Sequence, residues 1–267
     1  MNTATSGTSS AALPGLPESA LTLGALREQF AVSRQDLILL SVLLPIAAIG
    51  IGAIFFVKML AVVPAAPWAV WLCALPCIGI SLIIAREGYR TLTKAHARSG
   101  MRVLLFDEGF ISFRPNDVFS CRWDDVEWTR ELFATIENCP IWEGLIVHLR
   151  TGQEWTLDRR DFLRDSSRLA ATIQQDVARR MLPQVLADLR KGQTLDFGAI
   201  QLTLLGIMHR ELVLSWADLT AIAPHGANFK IQRRGAWRAW ATIAARDLIN
   251  RFLLLAIVEA MRSDQRN

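Results

Sequence analysis

Arg122-Trp123-Asp124-Asp125-Val126 returns further along the chain as Ser215-Trp216-Ala217-Asp218-Leu219, and the patterns on either side of the two copies recur in the same order. Upstream of the first copy, 103–106, 110–113 and 118–123 read as short strands separated by Asp107-Glu108-Gly109 and Pro115-Asn116-Asp117, which is turn chemistry. Downstream, 126–132, 145–150 and 154–157 read as further strands, the last two joined by Thr151-Gly152. Then the period becomes helical, with Phe162, Leu169, Ile173 and Val177 on one face between 161 and about 181. After Gly192 the order repeats. Strands are expected at 194–197, 200–204, 211–215, 219–223, 229–233 and 238–243, followed by an apolar helix over 247–261, and 146–157 aligns with 230–243 so that Trp155 pairs with Trp240. One strand-rich unit closed by a helix is thus expected twice, over 101–182 and 193–263, joined by a connecting helix at 183–192.

Outside this repeat the composition changes. The 267 residues are 52% hydrophobic and 20% charged, but 39 of the 49 residues in 37–85 are apolar and Lys58 is their one charge. Segments 37–57 and 65–85 are each long enough, at about 1.5 Å per residue, to cross a hydrocarbon core of about 30 Å. The expected class is therefore a membrane-anchored α+β protein: an N-terminal transmembrane helical hairpin ahead of the two units. Arg27 and Arg34 before the hairpin and a basic run after it predict a multi-pass protein of the cell (inner) membrane with both termini cytoplasmic. Residues 1–36 read as a flexible tail and lead-in, with a short amphipathic helix over 21–36. Residues 86–100 read as a juxtamembrane helix. Arg86, Arg90, Lys94, Arg98 and Arg102 fall at a four-residue spacing that would form a stripe facing anionic headgroups.

Short strands closed by one helix, twice, behind a two-span hairpin, resemble the pleckstrin-homology-like (PH-like) modules of prokaryotic membrane proteins. More narrowly, Leu104-Leu105-Phe106-Asp107-Glu108-Gly109-Phe110, the Arg122-Trp123-Asp124-Asp125 step, Gly192-Gln193-Thr194-Leu195-Asp196-Phe197-Gly198 and Arg234-Gly235-Ala236-Trp237-Arg238-Ala239-Trp240-Ala241-Thr242 are similar to an uncharacterised bacterial family of such proteins. The resemblance covers most of 86–262 and implies a curved barrel or sandwich capped by a C-terminal helix. Such modules typically bind lipid headgroups, peptides or proteins, an implication carried by fold alone.

Among candidate sites, Lys230, Arg233, Arg234 and Arg238 surround Gly235 with Trp237 and Trp240 interleaved, a pattern that suits a phosphate, an acidic peptide or a headgroup. Charge separates the two units. Residues 103–160 carry 6 basic and 11 acidic side chains, whereas 193–267 carry 9 basic and 6 acidic, so the second suits an anionic surface and the first does not. Asp124, Asp125 and Glu127 do not suggest a metal site: a turn explains Asp124 and Asp125, adjacent carboxylates on a strand point to opposite faces, and no histidine is nearby in sequence. His96, His148, His209 and His225 are scattered, and no H-x-x-x-H, G-x-S-x-G or glycine-rich phosphate loop occurs. Cys73, Cys77, Cys121 and Cys139 contain no C-x-x-C. No catalytic residue, cofactor or metal is therefore expected, and a net charge of +4 is too mild to argue nucleic acid. The expected role is a non-enzymatic binding or scaffold protein presenting two PH-like modules to a lipid bilayer or an unknown protein partner. The alternative is a regulatory or assembly subunit of a membrane complex, with an oligomeric channel or transporter behind it.

Overall fold

The computed structural model describes residues 22–31 and 101–264, apart from 116, 137–138, 160, 162–164 and 227. Between 32 and 100 it describes only 46–47, 50, 54, 57–58, 79, 83, 86–87, 89–90 and 93, all helical. Strand pairing defines the first unit. Strands β1 (Leu26–Ala31), β2 (Arg102–Phe106), β3 (Gly109–Arg114) and β4 (Asp117–Arg122) form an antiparallel sheet in chain order. A 3-10 turn at Trp123–Asp125 leads into a second antiparallel sheet of β5 (Val126–Ile136), β6 (Cys139–Leu149) and β7 (Glu154–Asp158), and helix α1 (Ser166–Arg190) follows. The inward side chains obey the period of two: Val103, Leu105, Phe110, Val126, Leu145, Val147, Trp155 and Leu157 make one core with Leu169, Ile173 and Val177 of α1.

The second unit repeats this plan in shorter elements. Strands β8 (Leu195–Asp196), β9 (Gln201–Thr203), β10 (Gly206–His209) and β11 (Leu212–Ser215) form one sheet, β12 (Leu219–His225), β13 (Asn228–Arg233) and β14 (Ala239–Ala244) the other, and helix α2 (Arg251–Asp264) closes them. The repeat extends to irregularities. A register shift follows Val126 at the start of β5 and Leu219 at the start of β12. Gly109 and Gly206 begin corresponding strands where any Cβ would collide with a backbone carbonyl, of Cys121 and Leu214 respectively.

Four expectations are corrected. Among the described residues no helix is long and apolar enough to cross a membrane, so the membrane-anchored class, the transmembrane hairpin and the multi-pass inner-membrane placement with cytoplasmic termini do not stand. Segments 37–57 and 65–85 fall almost wholly outside the described residues. The described helix long enough to cross, α1 with 25 residues, is amphipathic, and its apolar side is buried in protein. Second, 26–31 is not part of a helix or tail. It is β1, paired with β2 from Leu26 opposite Phe106 to Ala31 opposite Arg102, so residues 32–101 are inserted between two neighbouring strands of one sheet. Third, Arg102 begins β2, while Arg86 and Arg90 are helical, so the basic spacing does not describe one helical stripe; Lys94 and Arg98 lie outside the described residues. Fourth, 183–192 is no separate connector. Helix α1 runs through Pro183 and stops at Gly192, whose positive φ of 86° lets the Gln193 N–H reach the Asp188 carbonyl at 3.1 Å.

Helix α1 binds the units together. Its first half packs in the first core, and Ala178, Met181, Leu182, Val185, Leu186 and Leu189 pack in the second with Leu253, Leu254 and Ile257 of α2. The outer edge of β5 is also taken. Asn250, buried and at φ 49°, donates its N–H to the Thr129 carbonyl at 2.8 Å and accepts the Thr129 N–H on Oδ1 at 2.8 Å. Beside this pair, buried Glu131 accepts from Gln174 Nε2 at 3.0 Å and faces the Arg251 guanidinium at 2.5 Å, while Arg190 of α1 meets Asp264 of α2 at 2.8 Å. Burial pushes the Glu131 carboxyl up, partly offset by Arg251 and Gln174, and burial pushes Arg251 down, partly offset by Glu131.

Candidate functional site

Three turns meet at one end of the second unit. The turn between β9 and β10 carries Leu204 and Leu205. It is held by Trp216, whose indole Nε1 donates to the Thr203 and Leu204 carbonyls at 3.1 Å each and whose N–H reaches the Leu205 carbonyl at 3.4 Å. Two residues on, the Asp218 carbonyl accepts the Arg234 N–H at 2.7 Å, which draws the β13–β14 turn alongside, and Gly235 supplies the positive φ of 72° which that turn needs. The result places Leu204, Leu205 and Trp237, 49%, 76% and 86% exposed, at one end with Arg233, Arg234 and Arg238. Arg238 lies 4.3 Å over the Trp237 ring, and Arg233 is 3.9 Å from the Asp218 carboxylate, too long for a strong ion pair.

The same end of the first unit is built identically in backbone and oppositely in side chains. Trp123 stands for Trp216: its indole and its N–H each reach the 107–108 turn at 3.0 Å, and the Arg150 N–H meets the Asp125 carbonyl at 2.9 Å as Arg234 meets Asp218. Where the second unit has Leu204 and Leu205, the first has Asp107 and Glu108. Glu108 is engaged internally. Arg180 of α1 bonds both oxygens of Asp124 at 2.7 and 2.9 Å and sits 3.2 Å from Glu108, and Arg27 approaches Asp107 at 3.9 Å. The Arg180 guanidinium holds the Asp124 carboxyl below the usual carboxylate range and is itself held charged more firmly by Asp124. Glu108 and Asp124 thus pair with α1, while Arg27 of β1 is bound mainly by Asp176 at 2.8 Å, and among the described residues no group of His, Cys, Asp and Glu is placed to hold a metal ion.

The basic hairpin singled out in the sequence is divided by the structure. Arg233, Arg234, Trp237 and Arg238 share the tip, whereas Lys230 sits mid-strand, half-buried and opposite Ala223 and Thr242, about 10 Å back along β13 at 3.3 Å per residue. Trp240 is half-buried against the second core. Of the five-residue stripe, Arg86 and Arg90 are exposed, Arg90 pairs with Glu87 at 2.9 Å, and Arg102 lies 4.4 Å over the Phe113 ring on the first sheet. Leu204 and Leu205 were not singled out, because 200–204 reads as a continuous strand; the signal was there in two leucines occupying a turn whose counterpart is Asp-Glu. Cys121 is buried, its thiol pushed up to about 12 chiefly by that burial, and so it stays protonated and unreactive at neutral pH.

Fold and site together define a protein of two helix-capped antiparallel units that presents an apolar and basic end on one of them. The chain belongs to a family of unknown function, DUF6585, whose model matches residues 17–267. No curated protein and no solved structure matches it.

Proposed function

We propose that the protein is a non-enzymatic binding scaffold in which two PH-like modules act as one body and the second docks by its Leu204, Leu205, Trp237 end onto an anionic lipid surface. One observation carries this reading: at positions made equivalent by the same backbone hydrogen bonds, the first module has two acids, Asp107 and Glu108, the latter paired with Arg180, and the second has two exposed leucines beside arginines. Exposed leucines and an indole suit the headgroup boundary, where an indole buries its apolar body and keeps its N–H wet. Three guanidiniums behind them would add about 1 kcal/mol each near an anionic bilayer. The first module, with its acidic end, would face away.

Flotation of the full chain with vesicles of phosphatidylcholine alone, or with about a third phosphatidylglycerol, tests this. Binding should favour the anionic vesicles and fall at least about tenfold in Leu204→Ser/Leu205→Ser and in Arg233→Glu/Arg234→Glu. Residues 32–100 are common to all these proteins, so only the differences report on the tip. Binding indifferent to vesicle charge, or unchanged in both variants, removes lipid docking and leaves a protein partner, the regulatory-subunit reading, to be sought by affinity capture.

A further inference from the structure

Phe110, Ser112 and Arg114 alternate onto the same side of β3 and face β7 across the first core. The Phe110 ring lies 4.8 Å from the Trp155 ring, and the Arg114 guanidinium lies 6.0 Å from it while also donating to the Thr156 carbonyl. Ser112 lies between Phe110 and Arg114 on that side of β3. Ser112 Oγ, Arg114 Nε and Trp155 Nε1 are all buried with no hydrogen-bond partner among the described residues, and Ser112 and Trp155 are only 1% and 3% exposed. Each buried polar group left unmade costs about 1–3 kcal/mol, so three together call for an acceptor.

The second module shows what a self-sufficient version looks like. Counting from Gly109 and Gly206, Ser112 corresponds to His209, and Trp155 corresponds to Trp240. His209 Nδ1 lies 2.8 Å from the Ala199 carbonyl and its ring meets the Trp240 ring edge-on at 6.3 Å, so the position is filled and partnered from within. In the first module a serine replaces that ring. Two of the three unpaired groups, a guanidinium N–H and an indole N–H, can only donate, and the hydroxyl can donate as well. An oxyanion can accept from each of them, whereas water would bring two hydrogens of its own into a set dominated by donors.

We propose that the β3–β7 side of the first module, at Ser112, Arg114 and Trp155, binds an oxyanion: the carboxylate or phosphate group of a small molecule. The site is distinct from the docking end of the second module and stands whether or not that end meets lipid. The nine tryptophans of the full chain give indole N–H resonances in which that of Trp155 is identified by its loss in Trp155→Phe. Sodium acetate and sodium phosphate, titrated separately at constant ionic strength in sodium chloride, should shift that resonance saturably. The salt that saturates first assigns the acid, and equal saturation assigns an unselective oxyanion site. Arg114→Met, at the strand end, and Ser112→His, which copies the second module, should each weaken the effect at least about tenfold while the other indole resonances stay in place. No saturable shift with either salt, or a shift that persists in both variants, overturns the proposal.

Discussion

Glu131 is a carboxylate held where water scarcely reaches, 8% exposed at the seam between the modules, with Gln174 on one oxygen and Arg251 on the other. Desolvation outweighs both partners, so its folded-state pKa lies above the unfolded one. A carboxyl shifted in that direction favours the folded state while it is protonated, and its contribution is lost as pH rises from the ordinary glutamate range through the raised value. In Glu131→Gln this pH-dependent loss should be missing. Urea unfolding from about pH 4 to 8 should therefore show the stability of the variant rising relative to the parent as pH increases; a fall would mean that the Arg251 pair outweighs desolvation. Nothing local in Val126–Ile136 marks Glu131 as buried. Its partners come from α1 and from the start of α2, and only folding brings them within reach.

Elements tell a similar story at longer range. The turns at Asp107-Glu108-Gly109 and around Gly235 were legible because local chemistry determines them. Segment 26–31, Leu-Arg-Glu-Gln-Phe-Ala, was not, since six residues carry too little pattern to separate strand from helix and the pairing partner lies beyond residue 100. Likewise two helices were expected, to about 181 and over 183–192, yet burial of both halves of α1 in two cores outweighs the backbone hydrogen bond that Pro183 cannot make. The junction itself depends on Asn250. Asn250→Ala would leave the buried Thr129 N–H without its acceptor, at about 1–3 kcal/mol, and place an alanine in the left-handed region at about 1–2 kcal/mol more. A total loss of about 2–5 kcal/mol is expected in chemical denaturation, with faster amide exchange at Thr129; Asn250→Gly, which accepts the backbone conformation, should lose less.

At the scale of the molecule, two modules share one long helix, a strand edge clasped by Asn250, and an ion pair between helix ends, so they should unfold together. Far-ultraviolet circular dichroism and tryptophan fluorescence are expected to give coincident transitions in urea for the described body; two separated transitions would show that the shared helix does not couple the units. What depends on neighbours in the chain was legible in the sequence: the period-two strands, the turns, the strand-then-helix order and its recurrence around Trp123 and Trp216. It also located the basic tip, apart from Lys230. Only folding brought β1 into the first sheet, α1 into two cores, the β13–β14 turn beside Asp218, and Arg114 to Trp155. Those are contacts between residues distant in the chain, and they form only when burial of a common core makes up for the entropy of closing the loops between them.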